Sequence, residues 1–95
     1  MDKIEFVSIG KNERYIFSTG LRNDLNQVSI TSQSKNHLVS SVELNSFDQV
    51  IYKYQPKVNF TGTDIVTICF NNKPDEFNIL YNSVTFCIEV ISYLV

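Results

Sequence analysis

Alanine and tryptophan do not occur in this 95-residue chain, and glycine occurs only three times, proline and cysteine twice each, and histidine once. The lack of alanine, the strongest helix former, speaks against a helical domain. The three glycines are scattered, so no phosphate-cradling loop can be assembled from sequence neighbours, and no G-x-S-x-G, G-x-x-x-x-G-K or H-E-x-x-H stretch is present. Eight Lys and Arg against ten Asp and Glu leave no basic excess for a phosphate backbone, which argues against nucleic acid as a partner. No apolar run approaches the roughly 20 residues of a membrane-spanning helix. No apolar stretch follows the charged start Met1–Phe6, so it does not read as a secretory signal. The chain reads either as cytosolic or as a mature piece of a longer protein carrying an added start methionine.

What the chain does contain is β-forming residues. Val, Ile, Thr, Tyr and Phe fill 38 positions, and all of them favour pleated, half-buried surfaces. Apolar residues recur at period two in short bursts separated by turn formers. The bursts are Ile4–Ile9, Arg14–Ser18 (closed by Thr19-Gly20), Val28–Thr31, Leu38–Leu44, Val50–Tyr54, Ile65–Phe70 and Ser83–Ile91. Leu38, Val42 and Leu44 are the candidates for the buried side of the fourth. Leu21–Asn26 reads as a loop or a single helical turn, and Ser32–Asn36 and Asn45–Asp48 as turns. Seven strands at this spacing predict one all-β domain over residues 1–95, a β-sandwich.

One segment is more specific. Tyr54-Gln55-Pro56-Lys57-Val58-Asn59-Phe60-Thr61-Gly62-Thr63-Asp64 resembles the signature of bacterial Ig-like and cadherin-like surface repeats, a Tyr-x-Pro followed by Phe-x-Gly-x-Asp and an apolar strand. Each position has a physical reading. Tyr54 ends a strand pointing inward, and Pro56 removes a ladder donor. Phe60 plugs the end of the sandwich, Gly62 takes a backbone conformation other residues adopt poorly, and Asp64 accepts backbone N–H groups of its own turn. The sequence departs from the family pattern where Val66 and Ile68 replace an aromatic pair, and where Asn71–Glu76 replaces an Asp-Gly hairpin. The resemblance implies a seven-stranded antiparallel Ig-like β-sandwich, in an extracellular or cell-envelope protein, set among neighbouring domains. It implies no catalytic activity. A carbohydrate- or protein-binding module using its end loops is the alternative.

Other chemistry finds little support. His37 is the one histidine and has no recognisable nucleophile and acid partner, so it reads as a strand-end residue. Calcium would need converging carboxylates, and Asp24, Asp48, Asp64, Asp75 and Glu76 form no D-x-D cluster. No cofactor is expected. Tyr15, Tyr52, Tyr54, Tyr81 and Tyr93 are the stock for stacking on sugars. The likeness puts Tyr52 and Tyr54 inward, leaving Tyr81 for the surface. Asn59-Phe60-Thr61 matches a glycosylation sequon, read here as chance because the resemblance is bacterial. The same likeness sends Val66, Ile68, Phe70, Val84, Phe86, Ile88 and Val90 into the core. Cys69 and Cys87 then share the outer face of two neighbouring strands. Facing one another they could form a disulfide; with Cys87 opposite Thr67 they would stay free thiols.

Overall fold

A computed structural model of the protein describes residues 2–71 and 82–92. Among the described residues the order is β1 (Asp2–Gly10), β2 (Tyr15–Arg22), a 3-10 turn (Leu25–Gln27), β3 (Val28–Ser32), β4 (His37–Leu44), β5 (Gln49–Pro56), β6 (Gly62–Phe70) and β7 (Ser83–Ile91). They form a four-stranded sheet, β1-β7-β6-β3, and a three-stranded sheet, β2-β5-β4. The two sheets pack face to face in a sandwich-like all-β fold, because the core draws Val50, Tyr52 and Tyr54 from one and Val66, Ile68, Val84, Phe86, Ile88 and Val90 from the other. Phe86 is the hub. Tyr52 stacks on it at 5.3 Å, and Phe17 and Tyr15 meet it edge-on at 5.0 and 5.8 Å. Offset and edge-on contacts of this kind suit the ring quadrupole and fill the space between sheets.

The alternation of β6 and β7 follows from their sequences. Val66 and Ile68 are fully buried, as are Val84, Phe86, Ile88 and Val90, while the residues between them face outward. The antiparallel expectation needs one correction: β1 runs parallel to β7, from Asp2 opposite Ser83 to Gly10 opposite Ile91. No hairpin joins these strands, so no short turn forces them to run in opposite directions.

Two local expectations also change, both at bulges. The second strand does not stop at Ser18 but continues to Arg22 across a register break. Gly20, at φ 81°, makes the kink, and the Thr19 hydroxyl spans it by donating to the Val50 carbonyl (2.7 Å) while accepting from the Leu21 N–H (3.1 Å). In β4 the pairing skips between His37 and Val39. That break takes Leu38 out of the inward set, leaving it 57% exposed; Leu44, at the strand end, is also exposed, and only Val42 packs against the core. The stretch after β2 is the single helical turn, capped by the Asp24 carboxylate accepting from the Asn26 N–H at 2.9 Å.

Candidate functional site

The Tyr54–Asp64 segment builds one pole of the molecule. β5 ends at Pro56, which is buried and lies opposite His37. A tight turn follows, closed by the Phe60 N–H donating to the Lys57 carbonyl at 3.0 Å, with Asn59 at φ 65°. Asn59 is held from the β1–β2 turn: its N–H donates to Asn12 Oδ1 (2.9 Å) and its Oδ1 accepts from Asn12 Nδ2 (3.3 Å). Phe60 then folds back against the core. Gly62 sits at φ 132°, where a Cβ would approach Phe60 Cζ to 3.3 Å, so both backbone and space call for glycine.

Asp64 is the centre of the arrangement and is only 3% exposed. Its Oδ1 accepts from the Lys35 N–H (2.9 Å) and the Ile65 N–H (3.1 Å). Its Oδ2 accepts from the Asn36 N–H (3.0 Å) and the Tyr54 hydroxyl (2.9 Å). The expected role is thus corrected in its partners. Apart from Ile65, the donors come not from Asp64's own turn but from the β3–β4 loop and from the facing sheet. One carboxylate clasps β5, β6 and that loop together, and a further bond from the Lys57 N–H to the Asn36 carbonyl (2.9 Å) fastens the same loop to the end of β5. A buried carboxylate is tolerable only when such donors replace water. Burial, and then the bond to Asp64, push the Tyr54 phenol well above its ordinary value.

Residues not singled out from sequence complete this pole. Gln33 Oε1 accepts from the Ser34 N–H (2.9 Å) and the Ser40 hydroxyl (2.6 Å), and Ser40 also meets the Tyr52 hydroxyl at 2.7 Å. Ser34, buried, contacts His37 Nδ1 at 2.7 Å. The Ser34 Oγ is enclosed, so this pair orders the loop rather than presenting a nucleophile to solvent. Burial pushes the Tyr52 phenol up to about 12 despite its bond to Ser40. A shallow cleft of about 230 Å³ lies over the loop, lined in part by Gln33, Lys35, Asn36, Thr63 and Asp64. With two donors on each oxygen, Asp64 is committed to the fold and is a poor base or metal ligand.

The remaining sequence candidates disperse. Asp24 caps the 3-10 turn, and Asp48, at φ 59° in the β4–β5 turn, offers its carbonyl to the Asn23 N–H at 2.8 Å. Asp75, Glu76, Tyr81 and Tyr93 lie outside the described residues. Among the described residues no three His, Cys, Asp or Glu side chains converge as a metal site. Tyr15, Tyr52 and Tyr54 all turn toward the interior, leaving none of these three on the surface for sugar stacking. Cys69 lies opposite Ser83 and Cys87 opposite Ile65. The two cysteines are free and half-buried on the outer face. This is neither of the two registers weighed from sequence. The four-residue offset separates them by on the order of 13 Å along the strands, too far for a disulfide.

No protein-family model and no curated protein matches the chain. Among solved structures it is similar to the crystal structure of a cysteine protease inhibitor from Entamoeba histolytica, at 12% identity and a TM-score of 0.45, with 95% of this chain and 97% of that chain covered.

Proposed function

We propose that this chain is a non-catalytic Ig-like module of a bacterial cell-surface or secreted protein, serving as a structural spacer or adhesion unit. The observation that carries the reading is the clasp: Tyr54, Pro56, Phe60, Gly62 and Asp64 converge at one pole, and Asp64 ties both sheets to the β3–β4 loop. The strand order supports it. Pairing β2-β5-β4 against β3-β6-β7 is similar to the order of strands B, E and D against C, F and G in an Ig-type sandwich, with the first strand on the side of the last.

The parallel β1–β7 pair suits a spacer. Its ends lie at opposite poles, so tension between the chain's two ends loads the whole ladder in shear instead of opening it bond by bond. Single-molecule extension tests this. Pulling through Asp2 and Ser92 should require a higher unfolding force than pulling through Asn12 and Ser92, which lie near one pole. Equal, low forces in both geometries would overturn the spacer reading. A specific observation favours the binding-module alternative. Phe47 is exposed on the β4–β5 turn, which Arg22 Nη2 pins by donating to the Phe47 carbonyl at 2.9 Å. Retention on a polysaccharide or protein column that is lost in Phe47→Ser would select that alternative.

A further inference from the structure

Among the described residues four strands are sheet edges: β1 and β3 in one sheet, β2 and β4 in the other. The pairings of β2, β3 and β4 each contain a register break, between Ser18 and Arg22, Ile30 and Ser32, and His37 and Val39. Such breaks twist an edge and spoil it as a template for another chain. β1 has none. Its nine residues pair with β7 in unbroken register, so the backbone groups that alternate away from β7 line a long, straight edge.

Its side chains point the same way. On the outer face Ile4 is 60% and Phe6 81% exposed. Phe6 lies opposite Cys87, which lies opposite the exposed Ile65, so one apolar row crosses three strands. A cleft of about 410 Å³ adjoins that row, lined by Phe6, Val7, Ser8, Thr63, Cys87 and Glu89.

We propose that β1 is a pairing edge for a second copy of this chain. Two β1 strands adjoin antiparallel across a two-fold axis at Phe6, making one continuous sheet from two. The self-complementarity of the strand selects this occupant. With Phe6 on the axis all nine residues overlap: Ile4 meets Ser8, Glu5 meets Val7, Lys3 meets Ile9, and Asp2 meets Gly10. No like charges face each other, and the Lys3–Glu5 ion pair (3.2 Å) stays within each strand. An axis at Glu5 would oppose two carboxylates, and an axis at Ile4 or Val7 would shorten the overlap. With Phe6 central, the apolar row runs from Ile65 through Cys87 and Phe6 into the same residues of the second copy. Two phenylalanines meet at its centre, where an interface concentrates its energy.

Sedimentation velocity of the 95-residue chain from about 10 µM to about 1 mM tests the proposal, a range suited to a small, reversible interface. A concentration-dependent dimer is expected. Phe6→Lys should weaken it at least tenfold with an unchanged denaturant midpoint, since Phe6 is largely exposed. Ile65→Lys, on an interior strand of the same face, should weaken it less. In a Cys69→Ser, Cys87→Ser background, Phe6→Cys should oxidise to a covalent dimer, because directly opposed residues of an antiparallel pair have Cα atoms about 4.5–5.5 Å apart, within the span a disulfide bridges. A chain that stays monomeric throughout, a Phe6→Lys variant that dimerises like its parent, an Ile65→Lys variant equally impaired, or no covalent dimer each overturns the edge-paired assembly.

Discussion

Removing the Asp64 carboxylate should be among the most damaging substitutions this fold can suffer. Asp64→Ala leaves the Tyr54 hydroxyl buried with no acceptor, and orphans the Lys35 and Asn36 N–H groups at the rim. An unsatisfied buried donor costs about 1–3 kcal/mol, with loop amides toward the low end because water can reach them. The sum is about 3–5 kcal/mol, a large part of the roughly 5–15 kcal/mol that holds a domain folded. Asp64→Asn should cost nearly as much. It keeps the shape but turns one oxygen, which now takes two donors, into an NH2 group that confronts them. Tyr54→Phe should cost only about 1–2 kcal/mol, and the double variant Tyr54→Phe/Asp64→Ala should lose less than the two singles added, by about 1–2 kcal/mol, because the phenol is no longer there to be stranded. Urea melts followed by circular dichroism supply all four values, with constant m confirming that only stability changed. Asp64→Ala within about 1 kcal/mol of the parent, or a strictly additive cycle, would refute the clasp.

Gly62→Val should destabilise by about 1–3 kcal/mol, since φ 132° is strained for a β-branched residue and its Cβ would press on Phe60; a denaturant midpoint equal to the parent's would contradict this. Phe86→Ala should cost about 3–5 kcal/mol by removing the ring that Tyr15, Phe17 and Tyr52 share, again read from the melt. Stability should fall as pH rises above about 10, where unfolded tyrosines ionise while the folded protein holds Tyr52 protonated up to about 12. That difference amounts to about 2 kcal/mol by pH 12, and melts as stable at pH 11.5 as at pH 9 would refute it. Both thiols should react with a thiol reagent in the native state, and mass measured without reductant should show neither oxidised; two thiols reacting only after unfolding would reverse the outward placement of Cys69 and Cys87.

What could be read from the sequence was whatever two faces of a strand distinguish. In β6 and β7 the alternation of Val66, Ile68, Val84, Phe86, Ile88 and Val90 with polar or small residues reports burial directly, because side chains switch faces at every step. The same rule misled at Leu38, because one bulge changes the parity of the residues around it and nothing in Leu38-Val39-Ser40 announces it. At the clasp, the segment Tyr54–Asp64 signals itself through its proline, glycine and aspartate. Its second half does not: Lys35 and Asn36 contribute backbone N–H groups, which carry no side-chain signature, across 29 and 28 residues of chain. Gln33, Ser34 and Ser40 act through their side chains, but they read as ordinary loop and strand polarity because their partners lie across turns that local spacing does not reveal.

The parallel pairing of β1 with β7 has a consequence for the order in which the chain can fold. Asp2 and Ser83, which share a hydrogen bond, are separated by 81 residues, about as non-local as a contact in this chain can be. Closing so long a loop is entropically unfavourable until the intervening strands have shortened it, so β1 should dock last, onto a β6–β7 pair already formed. During synthesis β1 would wait about 4–16 s for the start of its partner, at ordinary elongation rates of roughly 5–20 residues per second. Throughout that interval Ile4 and Phe6 are carried on a strand with both edges open. Among the strands described, β1 is therefore the one most exposed to misassembly on the ribosome, and the natural place for a chaperone to hold the chain.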